Sequence, residues 1–134
     1  MKTLLLVRHA KSSWDAPGLS DFDRPLNERG KKDAPEMAKR LKDKDINVDL
    51  FVSSPAKRAK KTAKFFADAF DVKKDGIQFV DDLYLASSSA FEKTIIDLSD
   101  KNNVVALFSH NPGITEFANS LTNVRIDDMP TCSV

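Results

Sequence analysis

The feature that most restricts the fold of this 134-residue chain is an alternation of two hydrophobic periods. Four short apolar runs, residues 3–7 (TLLLV), 48–54 (VDLFVSS), 76–80 (GIQFV) and 103–109 (NVVALFS), are bounded by charged or turn residues. Continuous apolar runs of this length read as strands buried on both faces. Between and after them lie segments of helical period. In residues 28–44 Ala34, Met37, Ala38 and Leu41 recur at helical spacing behind Asn27, a suitable N-cap. Pro35 is expected to disturb that helix or to mark its effective start. Ser54-Pro55 reads as an N-cap with proline at the first helical position, leading a helix whose apolar face is Ala59, Ala63, Phe66 and Phe70. Residues 87–100 form a third helix with Phe91, Ile95 and Leu98 inward, and residues 112–121 a fourth. Strand and helix alternating with short connections predict an α/β three-layer sandwich, with a mostly parallel central sheet and helices on both faces. Residues 12–25, with Pro17, Gly18 and several Asp and Ser, form a loop. Residues 124–134 (VRIDDMPTCSV) read as the entry to a further strand. Either the sheet ends in an incomplete edge, or a C-terminal segment follows Val134. With no repeat, low-complexity tract or linker, residues 1–134 read as one domain.

Charge narrows the partners. Lys and Arg number 21 against 20 Asp and Glu, a net charge of +1, which argues against nucleic acid or a membrane surface as the main partner. No apolar stretch is long enough to cross a bilayer, and residues 1–7 are too short for a signal peptide. The lone Cys132 excludes an internal disulfide framework and a thiolate metal cluster, and reads as an inert, part-buried thiol. A cytoplasmic setting is expected.

In an open α/β sheet the ligand crevice lies beyond the carboxyl ends of the strands. Arg8 and His9 follow the first strand, Ser53, Ser54 and Arg58 the second, and Ser109, His110 and Asn111 the fourth. Two arginines and the chain's two histidines therefore converge on one edge. Two guanidiniums and an imidazole make a compact anion pocket whose N–H forks suit phosphate oxygens. The helices beginning near Pro55 and Pro112 point their N-termini at the same edge. His9 sits centrally as a nucleophile, kept neutral by the neighbouring arginine charges. A phosphoryl group on His9 would be clamped by Arg8, Arg58 and His110, with the positive charge already built in, so no metal or other cofactor is expected.

With these residues in view, "LLLVRHA", "SSPAKRAKKTA" and "FSHNPGI" resemble the histidine phosphatase superfamily, the phosphoglycerate-mutase-like fold. "DFDRPLNERG" and the shortness of the chain resemble its SixA-type phosphohistidine phosphatases. The resemblance implies that His9 is the phosphorylated nucleophile, that Arg8 and Arg58 bind phosphate and that His110 donates a hydrogen bond to the transferring group. Ser12 lies where many relatives carry a small hydroxyl residue near the phosphate. Asp15 departs from the Asn of other members, and Ala10 replaces the commoner glycine. The implied activity is that of a metal-independent phosphatase acting on phosphohistidine in a protein.

The larger departure concerns the general acid. Many superfamily members place a Glu after the third strand, where this chain reads "VDDLYLASSSA". Asp81 and Asp82 precede the required position. Cleaving a phosphate ester ejects an alkoxide that needs a proton, a contribution of roughly 10²–10⁴-fold. A phosphohistidine releases an imidazole, which leaves far more readily. Two alternatives stay open: a small-molecule phosphomonoesterase using Asp21, Asp23 or Asp82 as acid, and a phosphate-binding module without turnover. Among the remaining polar residues, Lys57, Lys60, Lys61 and Lys64 read as a solvated helix face. Trp14 and Phe22 read as loop anchors, and Arg24 as a helix-start residue that could help hold a phosphoprotein surface. Ser109 and Asn111 read as shaping the turn that presents His110. Asp127 and Asp128 have no evident partner.

Overall fold

A computed structural model describes residues 3–15, 17–98 and 100–134. Strands β1 (Thr3–Arg8), β2 (Leu50–Ser53), β3 (Ile77–Phe79) and β4 (Val104–Ser109) form one parallel sheet in the order β1-β4-β2-β3. Helices α1 (Glu28–Lys42) and α2 (Lys57–Ala69) pack together on one face, and α3 (Ser88–Ile96) and α4 (Gly113–Ser120) on the other. The three-layer sandwich expected from the alternation is the fold found. Along β4 the pleat divides the core. Ala106 and Phe108 pack with Phe66 and Ala34 beneath α1 and α2, whereas Val105 and Leu107 pack with Phe91 and Phe117 beneath α3 and α4.

The chain order positions the site. From β1 the chain advances to β2 and β3, then returns to insert β4 between β1 and β2. A right-handed crossover in the reverse direction must carry its helix over the opposite face, which is why α3 lies across the sheet from α1 and α2. At this reversal the carboxyl ends of β1, β4 and β2 lie side by side. Arg8 is in register with Ser109, and Ser53 with Phe108. The residues that follow emerge at one level.

Local chemistry explains most boundaries. Asn27 caps α1 as expected, its Oδ1 accepting from the Gly30 N–H at 2.8 Å. Pro35 neither starts nor breaks this helix. It lies on the exposed side, where a carbonyl displaced by its ring is solvated, while Ala34, Ala38 and Leu41 are buried opposite. Gly30 is required by a close approach. A Cβ there would lie 2.2 Å from the Lys11 carbonyl oxygen, which also accepts the Asn27 N–H at 3.0 Å. The segment after His9 thus rests directly on the start of α1.

Four expectations are corrected. Arg8 is the last residue of β1 rather than the first beyond it. The cap of α2 is Ala56, with no side-chain bond, so Ser54-Pro55 precedes the helix and Ser54 serves the site instead. Helix α3 ends at Ile96, short of the expected 100; Ser99, in that expected span, lies outside the described residues. Residues 124–134 form no strand. Pro130 offers no N–H to a ladder and Cys132 has a positive φ of 62°, so the segment turns instead of extending. It docks by backbone bonds: Arg8 N–H donates to the Ser133 carbonyl at 3.1 Å, and Cys132 N–H donates to the carbonyls of Arg8 at 3.1 Å and His9 at 3.0 Å. Cys132 is fully buried, and burial pushes its thiol up to about 12, as befits an inert side chain.

Candidate active site

Beyond the ends of β1, β2 and β4 opens a cleft of about 430 Å³. Arg8, His9, Ser12, Arg58 and His110, all five residues expected from the sequence, line it together with Asp21, Arg24 and Asn111. Each is delivered by a different piece of backbone geometry. His9 follows β1, with its N–H donating to the Ser109 carbonyl at 3.1 Å. His110 follows β4 directly. Arg58 lies in the first turn of α2, buried, beneath the Thr62 hydroxyl that donates to its carbonyl and accepts from the Ala10 N–H.

The two imidazoles stand 5.1 Å apart between ring centroids. His9 Nδ1 lies 2.7 Å from the Ala10 carbonyl oxygen. A carbonyl only accepts, so Nδ1 carries the proton and the lone pair is on Nε2. Burial first, and the Arg58, Arg8 and Arg24 charges after it, hold the His9 pKa down to about 4 against the opposing pull of that bond. Burial rather than arginine charge is the main reason the ring stays neutral. His110 is held down to about 3, again by burial first, then by His9 and Arg58. Its Nε2 meets Ser54 Oγ at 2.8 Å, and Ser54 Oγ also accepts the Ala56 N–H at 3.2 Å.

An NMR titration of the folded protein is therefore expected to find both imidazoles neutral at pH 5, with protonation of His9 near pH 4. A midpoint near the ordinary 6.5 would refute this. The same shifts fix the sign of the stability change. From pH 6.5 down toward 4 the unfolded chain gains protons that the folded chain refuses, so stability falls with falling pH.

The guanidiniums surround the cleft with donors. Arg8 Nη1 donates to the Met129 carbonyl at 2.7 Å. Arg24, read from the sequence as a helix-start residue that could help hold a phosphoprotein surface, reaches into the cleft, where its Nη1 donates to Ser12 Oγ at 2.7 Å. Asp21, from the 3-10 turn Asp21–Asp23, occupies these donors. Its carboxylate accepts from Arg58 Nη2 at 3.0 Å, from Arg24 Nη2 at 3.1 Å and from the Tyr84 hydroxyl at 2.7 Å. The Tyr84 bond foremost, with Arg58 and Arg24, holds its pKa down to about 2, while the Tyr84 hydroxyl is pushed up by the same bond. Three buried polar atoms, Arg8 Nε, Arg58 Nε and His110 Nδ1, have no partner among the described residues. Unpaired polar atoms of this kind are costly unless a ligand uses them.

Of the carboxylates proposed as acids, only Asp21 reaches this cleft. Asp82 lines a separate depression beside Thr94 and Asp97, and Asp23 faces another cleft. Asn111 does shape its turn, its Oδ1 accepting from the Thr115 hydroxyl at 2.6 Å. It also binds Asp128, which lies 3.8 Å from Arg8, so Asp128 has the partners the sequence did not disclose. Trp14 is not an anchor: it is 80% exposed, with the Arg24 guanidinium 3.6 Å from its ring centre. Tyr84 went unnoticed, although as the chain's one tyrosine, inside the segment searched for a glutamate, it was open to notice.

Comparison with known proteins accords with this geometry. The model of the histidine phosphatase superfamily (branch 1) matches residues 4–84. The chain is 29% identical over 140 residues to an uncharacterized chloroplast protein of Arabidopsis thaliana, covering 98% of this chain and 64% of that protein. It is 40% identical over 86 residues to phosphoserine phosphatase 1 of Hydrogenobacter thermophilus, covering 60% of this chain and 40% of that enzyme. It thus spans less than two-thirds of the length of these curated relatives. Among solved structures, SixA of Agrobacterium tumefaciens superposes with a TM-score of 0.84 at 31% identity, covering 96% of this chain and 85% of that one. A tungstate complex of the protein histidine phosphatase SixA shares the fold, with a TM-score of 0.83 at 23% identity over 97% of this chain and 83% of that one. With the family model matched over more than half its length, this chain belongs to the histidine phosphatase superfamily.

Proposed function

We propose that the chain is a phosphatase that works through a phosphoryl group carried on His9 and removes phosphate from phosphohistidine in a protein. The observation that carries this reading is the placing of His9: its Nδ1 is bonded to the Ala10 carbonyl, which leaves the lone pair on Nε2, in a cleft walled by three guanidiniums, and burial favours the neutral ring. Nε2 attacks phosphorus, and the bond from phosphorus to the substrate imidazole breaks with its electron pair leaving on that imidazole, which takes a proton from water. Water then attacks phospho-His9, releasing phosphate and restoring the lone pair. Arg8, Arg58 and Arg24 balance the phosphoryl oxygens, so the reading requires no metal. His110 Nε2 meets the Ser54 hydroxyl at 2.8 Å, and in the tautomer in which Ser54 donates, the one proton of neutral His110 resides on Nδ1, a donor for the transferring group.

The substrate class follows from the acid. Among the described residues of the cleft, Asp21 is the one carboxylate, and its partners keep it ionised. An ionised carboxylate cannot protonate an alkoxide, which favours P–N over P–O cleavage. The phosphomonoesterase reading is supported by the likeness to a phosphoserine phosphatase. Hydrolysis of a phosphohistidine peptide beside p-nitrophenyl phosphate, without added metal, separates the two. Faster P–N cleavage is expected; equal or faster ester cleavage would mean that Asp21 becomes an acid once substrate displaces its partners.

Asp21 holds the donors that phosphate needs. Asp21→Asn is therefore expected to tighten inorganic phosphate by roughly two- to fivefold, the scale of half-exposed ion pairs, measured by calorimetry. Weaker binding would instead make Asp21 a brace that shapes the pocket.

A further inference from the structure

We propose that a second, lysine-lined cleft adjoining the first is a docking surface for an acidic segment of the phosphorylated protein; this rests on the reading of a protein substrate given above. The cleft holds about 630 Å³. Lys31 of α1 and Lys57, Lys60, Lys61 and Lys64 of α2 wall it, and Asp23 is its one carboxylate. The α2 lysines recur at i, i+3, i+4 and i+7, which stacks them along one helix face while Arg58 and Thr62 turn inward. Lys60 and Lys61 lie over the rings of Phe79 and Phe65 at 5.2 and 5.3 Å.

Two features tie this cleft to catalysis. The 3-10 turn Asp21–Asp23 is a wall common to both clefts, with Asp21 in one and Phe22 and Asp23 in the other. On α2, Lys57 in the second cleft is next to Arg58 in the first. The lysine cleft therefore opens beside the cleft that holds His9, with the 3-10 turn as the wall between them. Charge then selects the occupant. The lining holds five lysines against one carboxylate, with Glu28 outside it pairing to Lys31 at 3.5 Å. The two adjoining clefts together hold nine cationic side chains against two carboxylates, so in a chain of net +1 the residues outside them sum to −6; a long polyanion such as a nucleic acid would run past the clefts over that remainder, whereas a few acidic residues of a protein end where the clefts do. Phe22, Pro25, Leu26 and Pro55 supply apolar surface for the backbone of such a segment.

The test uses two phosphohistidine peptides of equal length, one with acidic and one with basic residues beside the phosphohistidine, and phosphoramidate as a substrate too small to reach the lysines. Wild type is expected to show kcat/KM about tenfold higher on the acidic peptide at low salt, a preference that fades as salt is raised. The triple variant Lys57→Glu/Lys60→Glu/Lys61→Glu is expected to lose that preference and to hydrolyse phosphoramidate as wild type does. Equal rates on both peptides in wild type, or a preference that survives the triple substitution, would overturn the docking surface while leaving the phosphatase reading intact. A second readout works without turnover: fluorescence anisotropy of the acidic peptide on His9→Ala, with and without the three lysine substitutions. Lysine-dependent binding without P–N cleavage by wild type would sink the protein-phosphohistidine reading and keep the surface. An oligonucleotide of equal charge binding more tightly than the peptide would assign the cleft to nucleic acid and overturn the proposal.

Discussion

Replacing His9 with Ala is expected to lower the rate of phosphohistidine hydrolysis by on the order of 10⁴-fold or more, the scale on which removal of a nucleophile acts. Among the described residues of the cleft, no other group combines a neutral lone pair with flanking guanidiniums. His110, the nearest candidate, already uses Nε2 on Ser54. Inorganic phosphate should still bind within severalfold of wild type, because Arg8, Arg24 and Arg58 do not depend on the His9 ring for their hydrogen bonds. The fold should survive, since among the described residues the ring's one hydrogen bond is to its own neighbour, Ala10. Two measurements check this: the single-turnover rate, and trapping of labelled phosphoryl enzyme after acid-free quenching. A residual rate above about one hundredth of wild type would mean that another group attacks phosphorus and that His9 only positions the substrate.

The fold was legible because strand and helix declare themselves in periods. Continuous apolar runs such as residues 103–109 belong to strands covered on both faces, and β4, the most covered, was read with its boundaries within a residue. Arg8, His9, Arg58 and His110 were legible for a different reason: topology alone brings the ends of β1, β2 and β4 together, so residues at those ends meet whatever their side chains do. Arg24, Asp21 and Tyr84 lie on irregular backbone, where no periodicity says which way a side chain turns. Asp21 illustrates the limit. Its type suggested an acid, but its protonation state depends on Tyr84 and Arg58, which are 63 and 37 residues distant in sequence. On α2 the sequence separated Arg58 from its lysine neighbours, read as a solvated face, but not the cleft that those lysines wall. "KRAKK" is one charged run, and a helix sends Arg58 inward and its lysine neighbours outward, so a single run serves two clefts.

Replacement of Arg58 with Ala carries the second large expectation, a fall in kcat/KM of about 10²–10³-fold, as for loss of one preorganised donor to a developing oxyanion. Arg58 is only 5% exposed, and its Nε lacks a partner among the described residues, while both terminal nitrogens engage Asp21. A phosphoryl group that displaces Asp21 would meet this fork already in place, with no side chain left to order. Arg58→Lys should recover only part of the loss, because one ammonium cannot reproduce two parallel N–H bonds. A structural role would also reduce activity, so the decisive readout is rescue. Millimolar guanidinium added to Arg58→Ala should restore part of kcat by filling the vacated site, and should do nothing for His9→Ala. Asp21 stays paired with Arg24 and Tyr84 in the variant and is half exposed, so unfolding is not expected to intervene. Activity of Arg58→Ala within about threefold of wild type would show that Arg8 and Arg24 suffice to hold the phosphoryl oxygens, and that the buried fork of Arg58 serves Asp21 alone.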